Sequence, residues 1–375
     1  MGLFTLPPKP PQADLNLDMF LKGDALETTV RRPRRTLAAE WFPQSGVQLT
    51  WPHAGTDWAD CLPEVTDCYL HLAFEIAMRE KLLVVTPEPD AVRALLEQQL
   101  PQRAMQNVLL AECPTNDTWA RDHGALTVLG TNGPELLDFR FNGWGGKFEA
   151  ALDNAITRRL CDDGWLKGGY VDCTDFELEG GSIETDGCGT LLTTSRCLLN
   201  PNRGTERTRG QVELLLRERL GVDHVLWLEH GELAGDDTDA HVDTLARLCP
   251  EQTIAYTRCD DPADEHYEPL RLMEEELRAF RTADDEAYRL VALPLPDPVY
   301  DQNGERLPAT YANYLVLNDT VLYPTYGQPD KDEAARKALL EAFPRLGATG
   351  VDCRALIRQH GSLHCATMQF PRGVL

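Results

Sequence analysis

The feature that most constrains the fold is a unit written twice. GTLLTTSRCLLNPNRG leads into RGQVELLLRERLG and then VDHVLWL; further on, NDTVLYPTYGQPDKD leads into EAARKALLEAFPRLG and then GVDCRAL. Both copies run from a strand through a proline-containing turn into a helix, then through Leu-Gly to Val-Asp. A module of this size cannot bury its apolar face alone and stacks on its siblings. The expectation is an α/β fold in one repeat-built domain rather than two independent halves. The rest of the chain fits that frame. Val65, Tyr69, Leu72, Ala73 and Ile76 recur at helical spacing between Pro63 and Lys81, and LLVVT follows as a short buried strand. Asp90 is read as the cap of AVRALLEQQL, with NVLLAE, ALTVLG and ELLDFRF as strands. The glycine-rich FNGWGGKF leads to a helical segment over 150–160. A helix with an acidic lead-in and the strand YRLVALPLP lie between the two copies. Residues 1–36, rich in proline and charge, read as an N-terminal arm, and 37–375 as a single domain.

Sixty acidic residues against 36 basic ones give a formal charge of −24. That excludes nucleic acid, whose phosphates need a basic face, and suits a small cation. No apolar run is long enough to span a bilayer, so no membrane partner is expected. The eleven cysteines form no CxxC pair and read as reduced thiols in a cytoplasm. The first residues lack the apolar core of a secretory signal, and RRPRR is followed by no apolar run.

Chemistry-bearing residues gather in four stretches. GSLHCATMQFP sets Cys365 between His364 and Thr367 among small neighbours. Taken alone, this cysteine reads more readily as core than as catalyst. TNDTWARDHGAL brings Trp119 and Asp122 to a sharp turn at Gly124, although Asn116 and Asp117 as turn caps would explain it equally well. FELEGGSIETDGCGT ends a strand at Glu179 beside two glycines. HGELAGDDTDAHVDTLARL holds His241 and Asp243 two residues apart, which on an extended segment puts both side chains on one face.

Metal motifs fit poorly. The run Asp236, Asp237, Asp239, His241, Asp243 lacks the glycine and late glutamate of a calcium loop, and His360 and His364 near Cys353 and Cys365 have no CxxC to complete a zinc site. Neither metal nor cofactor is expected, and GxGxxG, Walker A and GxSxG are absent. If Cys365, His241, Asp243, Asp122 and Glu179 converge, the acids would do nothing for the oxyanion of a neutral carbonyl. They make sense around a cation. Two carboxylates can grip a planar guanidinium in bidentate fashion and hold its central carbon over a thiolate, and the bound cation favours ionisation of the thiol.

With these residues in hand, the chain resembles the agmatine deiminase family of the guanidino-group-modifying pentein superfamily, which includes arginine and bacterial peptidylarginine deiminases. The resemblance runs through EWFPQSGVQLTWPHAGTDW, NDTWARDHG, FNGWGGKF, LEGGSIETDGCGTLLTTSRCLLNPNRG, TDAHVDTLARL and GSLHCATMQFP. It implies a pentein α/β propeller of five ββαβ-type modules around a pseudo-fivefold axis. It also implies roles: Cys365 as nucleophile, His241 as general acid and base, Asp122 and Asp243 as guanidinium clamps, and Glu179 orienting His241. Trp119 and the loop from Asn142 through Trp144 and Gly145 to Gly146 would wall the site. The implied reaction converts agmatine to N-carbamoylputrescine and ammonia, and the implied assembly is a homodimer. Arginine or peptidyl arginine as substrate, amidino transfer to an amine, and a non-catalytic binding module are the rival readings. The chain departs from the family pattern beside the site, at His123-Gly124-Ala125, Ala240, Gly361-Ser362 and Met368-Gln369.

Overall fold

The structure, a computed structural model, describes residues 35–204 and 207–375. The expected arm lies outside the described residues as far as 34; the first strand, β1 (Arg35–Leu37), already falls within its last two positions. Next come β2 (Gln44–Thr50), helix α1 (Leu62–Ala77), β3 (Lys81–Thr86), α2 (Pro89–Gln99) and β4 (Val108–Glu112). They are followed by β5 (Leu126–Gly130), β6 (Gly133–Arg140), α3 (Ile156–Asp162) and β7 (Gly169–Glu177). The twice-written unit supplies β9 (Thr190–Thr194), preceded by β8 (Ile183–Thr185), then α4 (Arg209–Leu220) and β10 (His224–Leu228). After it come β11 (Ala246–Cys249), β12 (Thr253–Arg258), α5 (Tyr267–Ala279) and β13 (Arg289–Pro294). The second copy gives β14 (Leu315–Val316), β15 (Thr320–Thr325), α6 (Pro329–Ala342) and β16 (Gly347–Asp352), and β17 (Thr367–Pro371) ends the strands.

These strands form five sheets among the described residues, and one pairing scheme recurs in all of them. A parallel pair is joined through a helix: β2 with β3, β6 with β7, β9 with β10, β12 with β13, β15 with β16. Parallel neighbours require such a crossover, because a tight turn can only reverse the chain. The first strand of each pair also takes an antiparallel neighbour: β5, β8, β11 and β14 in four sheets, and the final strand β17 in the first. The chain's end thus completes its first sheet. β1 and β4 are additions at sheet edges.

The helices follow the apolar spacing. α1 buries Val65, Cys68, Tyr69, Leu72, Ala73 and Ile76, and β3 behind it is buried from Leu82 to Thr86. The helix stops at Ala77 rather than running to Lys81, because Lys81 opens β3 opposite Gly46. Asp90 does not cap α2: Pro89 occupies the first turn and Glu88 the cap position, leaving Asp90 inside, where its charge suits the positive end of the helix. The two Leu-Gly pairs also differ. Gly221 closes α4 in the left-handed region at φ 69°, whereas Gly347 opens β16, since Pro344 ends the second helix early.

Candidate active site

The recurring scheme positions the site. The segment immediately before the antiparallel neighbour in each sheet contributes one polar group. Cys365 precedes β17, Asp122 lies in the helical turn Ala120–His123 before β5, and Glu179 with Gly181 precedes β8. Asp243 lies in the turn Val242–Thr244 before β11, and Asn313 precedes β14. Residues flanking these groups belong to three separate apolar clusters: Cys365 and Trp119 to one, Ala120 and Met368 to a second, Ala240 and Val242 to a third. Packing in all three fixes the polar groups between them.

Gly181 marks the centre. A Cβ built there would lie 2.6 Å from His241 Nδ1, 2.9 Å from Asp122 Oδ1 and 3.1 Å from Asp243 Oδ2. The structure therefore brings Asp122, His241 and Asp243 together around bare backbone. Its amide donates to Asp122 Oδ1 (3.0 Å), and Trp144 Nε1 donates to Asp122 Oδ2 (2.9 Å). Cys365 Sγ stands 4.0 Å from Asp243 Oδ2 and accepts from Asn313 Nδ2 at 3.2 Å. Asn313 Oδ1 in turn accepts from the amides of His364 (2.9 Å) and Cys365 (3.3 Å), so one amide side chain holds both backbone and thiol.

His241 is a departure from the expected arrangement. It lies just ahead of a 3₁₀ turn rather than on an extended strand. The carboxylate two residues on, Asp243, hydrogen-bonds His364 Nδ1 at 2.7 Å instead, and Glu40 Oε2 accepts from His364 Nε2 at 2.7 Å. His364 is thus held between two acids behind the site. His241 has Asp122 Oδ1 3.8 Å from Nδ1, with Glu179 and Cys197 within 4.8 Å, and neither ring nitrogen makes a hydrogen bond. Asp243 Oδ1 and Glu179 Oε2 are buried and unpartnered as well. Arg203 Nε takes the other Glu179 oxygen at 2.8 Å.

Burial works against every charge here, and the neighbours decide which way each group moves. It pushes Asp122 up to about 6, with Asp243 and Glu179 adding to the rise and His241 opposing it. Burial would lower His241, but Asp122, Cys197 and Glu179 outweigh it and hold the imidazole well above its ordinary value. Burial, Asp243 and Asp122 raise the Cys365 thiol. The resting site therefore holds a thiol and an imidazolium. Asp243 is drawn down despite burial, chiefly by its bond to His364.

The expected walls are present in different degrees. Trp144 touches Asp122 directly. Asn142 and Gly145 act through it: Asn142 Oδ1 accepts from the Gly145 amide at 2.8 Å, and the turn carries Trp144 at φ 53° and Gly145 at φ 89°. A Cβ at Gly145 would also run into the Asn202 side chain. Trp119 stacks on Trp58 with ring centres 5.6 Å apart and lies against Gly361. Among the motif departures, Ala240 has φ 66°, in the left-handed region that favours glycine. Ala240→Gly is expected to raise stability by about 1 kcal/mol, read as a shift in the denaturation midpoint.

The sequence reading missed Asn313, Cys197 and Glu40. Arg247 is fully buried, its guanidinium bonded to Glu184, Glu40 (3.0 Å) and the carbonyls of Ala312 (3.2 Å) and Tyr314 (2.7 Å). Asn313 stands out only once the strand pairings are known, since it precedes β14 as Cys365 precedes β17. The others carry no local signal.

A buried thiol ringed by carboxylates, on this α/β topology, defines a class: the guanidino-group-modifying pentein superfamily. Within it the chain belongs to the Porphyromonas-type peptidyl-arginine deiminase family, whose profile matches residues 36–371. The chain is 32% identical to the agmatine deiminase of Stutzerimonas stutzeri over 92% of its own length and 98% of the relative's. A Porphyromonas gingivalis protein provisionally named arginine deiminase is 49% identical with a TM-score of 0.86, covering 91% of this chain and 99% of that one. The agmatine deiminase of C. jejuni, solved as a cysteine-to-serine variant with substrate bound, is 37% identical with a TM-score of 0.83, covering 91% and 97%. No helix among the described residues is long and apolar enough to cross a membrane.

Proposed function

We propose that the protein hydrolyses the C–N bond of a guanidine, converting agmatine to N-carbamoylputrescine and ammonia. The observation that carries this reading is the pair of carboxylates at the buried thiol: Asp243 Oδ2 stands 4.0 Å from Cys365 Sγ, Asp122 and Asp243 both face the bare backbone of Gly181, and Asp243 Oδ1 is left unpaired. Asp122 and Asp243 would grip the guanidinium. The bound cation offsets the two carboxylates that raise the Cys365 thiol and allows it to ionise, its proton leaving to solvent. The thiolate attacks the guanidinium carbon. His241, an imidazolium at rest, protonates the departing ammonia and leaves a thiouronium on Cys365. Neutral His241 then takes a proton from water. The hydroxide adds to the thiouronium carbon, and collapse expels the thiolate and a protonated urea, whose proton returns the sulfur to a thiol and frees the neutral ureido product. Glu179, beside His241, favours the imidazolium form.

Agmatine is preferred over arginine because the neighbouring cations are already paired. Arg203 holds Glu179, Asp239 and the Thr238 carbonyl (2.8 Å), and Arg247 is enclosed among Glu184, Glu40 and carbonyls. Arg140 is solvent-facing, 3.6 Å from Glu177. A substrate α-carboxylate would find no free partner among these three. The family's name and the 49% identical Porphyromonas protein favour arginine or peptidyl arginine as the second reading. Ureido product measured across agmatine, arginine and a blocked arginine amide separates them; turnover confined to the last two would remove agmatine.

Five sheets with one pairing scheme, each presenting a polar group just before its antiparallel neighbour strand, support five ββαβ modules around a pseudo-fivefold axis, forming one catalytic domain over 37–375. Two results are expected of the site. Asp122 loses its charge as pH falls through about 6, so kcat/KM for agmatine should drop below that pH; a profile flat to pH 5 would contradict the clamp. His241→Gln should lower kcat by about 10²–10⁴-fold, as for loss of a general acid. His364→Gln should cost less and act mainly on KM, through Asp243. The reverse ranking would exchange the roles of the two histidines.

A further inference from the structure

We infer that Glu179, Cys197 and His241 form a site for a thiophilic divalent cation such as Zn²⁺, whose binding withdraws His241 from proton transfer. One ligand atom from each residue lies within 4.8 Å of the others. All three side chains are buried, at 1%, 0% and 1% exposure. Glu179 Oε2 and both ring nitrogens of His241 are buried without a hydrogen-bond partner, so two of the three residues bring unsatisfied polar atoms to the cluster. A thiolate, an imidazole and a carboxylate are a borderline-soft donor set suited to zinc. Tetrahedral zinc places ligand atoms roughly 3.5 Å apart, so the three need to close by at most about an ångström.

The surroundings fix the donors. Thr194 Oγ1 accepts from the Cys197 amide at 3.3 Å and donates to the Ala240 carbonyl at 2.7 Å, tying the cysteine's turn to the residue before His241. Arg203 holds Glu179 by Oε1 and leaves Oε2 free of any partner. Binding exchanges the ion for the Cys197 thiol proton and the His241 imidazolium proton. Cys365 is not part of the set, since its sulfur faces Asn313 and Asp243. Nor are the histidines weighed from sequence: His360 bonds the Gly235 carbonyl and His364 lies between two acids. A nitrogen bound to metal cannot carry a proton, so the ion acts as an inhibitor.

The experiment titrates Co²⁺, as a spectroscopic substitute for Zn²⁺, into the reduced full-length protein. One equivalent should give thiolate-to-cobalt charge-transfer absorption that Zn²⁺ abolishes. Cys365→Ala should keep that absorption. Cys197→Ser should lose it and weaken binding by more than about tenfold, given that outer-shell partners alone are worth 10–100-fold. His241→Gln, as a second variant, should weaken binding likewise if Cys197→Ser fails to fold. Absorption that disappears with Cys365→Ala, persists in Cys197→Ser, or never forms would overturn the site. Inhibition of turnover by Zn²⁺, reversed by EDTA, tests the functional consequence. Only this last arm rests on the proposed role of His241; the binding arms decide the site even in a protein that turns over no guanidine.

Discussion

Cys365→Ala should abolish ureido product, with a loss on the order of 10⁵-fold or more, as for removal of the nucleophile in other covalent enzymes. The protein should remain folded. The side chain is buried at the edge of an apolar cluster with its sulfur engaged by a polar amide at 3.2 Å, and alanine leaves a cavity of one atom. Substrate should still bind, because the clamps at Asp122 and Asp243 are untouched. Binding without turnover is therefore the signature, read as agmatine affinity by calorimetry beside product formation. A substantial residual rate would mean that the thiol is a bystander and that hydrolysis proceeds by direct water attack.

Gly181→Ala carries the second large effect. Its Cβ would fall within 2.6–3.1 Å of His241, Asp122 and Asp243 at once, so at least one must move. The Gly181 amide also donates to Asp122, which limits how far the backbone can retreat. A displacement near an ångström in a reacting constellation costs about 10²-fold, and here it disturbs both clamp and acid. We expect kcat/KM to fall by about 10²–10³-fold. The methyl would enter the guanidinium's own space, so KM should rise along with the fall in kcat. Gly180→Ala is not an adequate control, because its Cβ would run into the Arg121 carbonyl. Ser182, whose hydroxyl donates to the Glu179 carbonyl at 2.6 Å, is a better neighbour: Ser182→Ala should leave KM nearly unchanged. Wild-type kinetics in Gly181→Ala would show that substrate does not lie against this backbone.

Much of the scaffold is legible in the chain because the repeated unit and the strand runs are local patterns. The copies containing β9 and β15 announce themselves through apolar periodicity, and each does pair in parallel with the strand after its helix. What escapes is set by other forces. Asp90 looks like a cap, but Pro89 takes the first turn and moves the boundary. Which strand joins which sheet is invisible, above all that β17 closes onto β2. The catalytic candidates were recognisable as separate motifs, since each combines a charged group with glycine or an aromatic ring. Their partners were not. Asp243 sits two residues from His241 and hydrogen-bonds His364, a contact made across long sequence separation. Glu40 and Arg247 meet His364 only once three sheets are assembled. Asn313, in an ordinary-looking TYANYL, gains meaning from its place before β14, a position that becomes comparable with Cys365 only when the strand pairings are known.

The central claim is that Cys365 forms a covalent intermediate with the guanidinium carbon. The most direct measurement is peptide mass mapping of the reduced protein, mixed with agmatine and quenched in acid during turnover. The account predicts an adduct of agmatine less ammonia on the peptide containing Cys365 and on no other cysteine peptide, Cys197 included. Ammonia release without any adduct, or an adduct on a different cysteine, would contradict it.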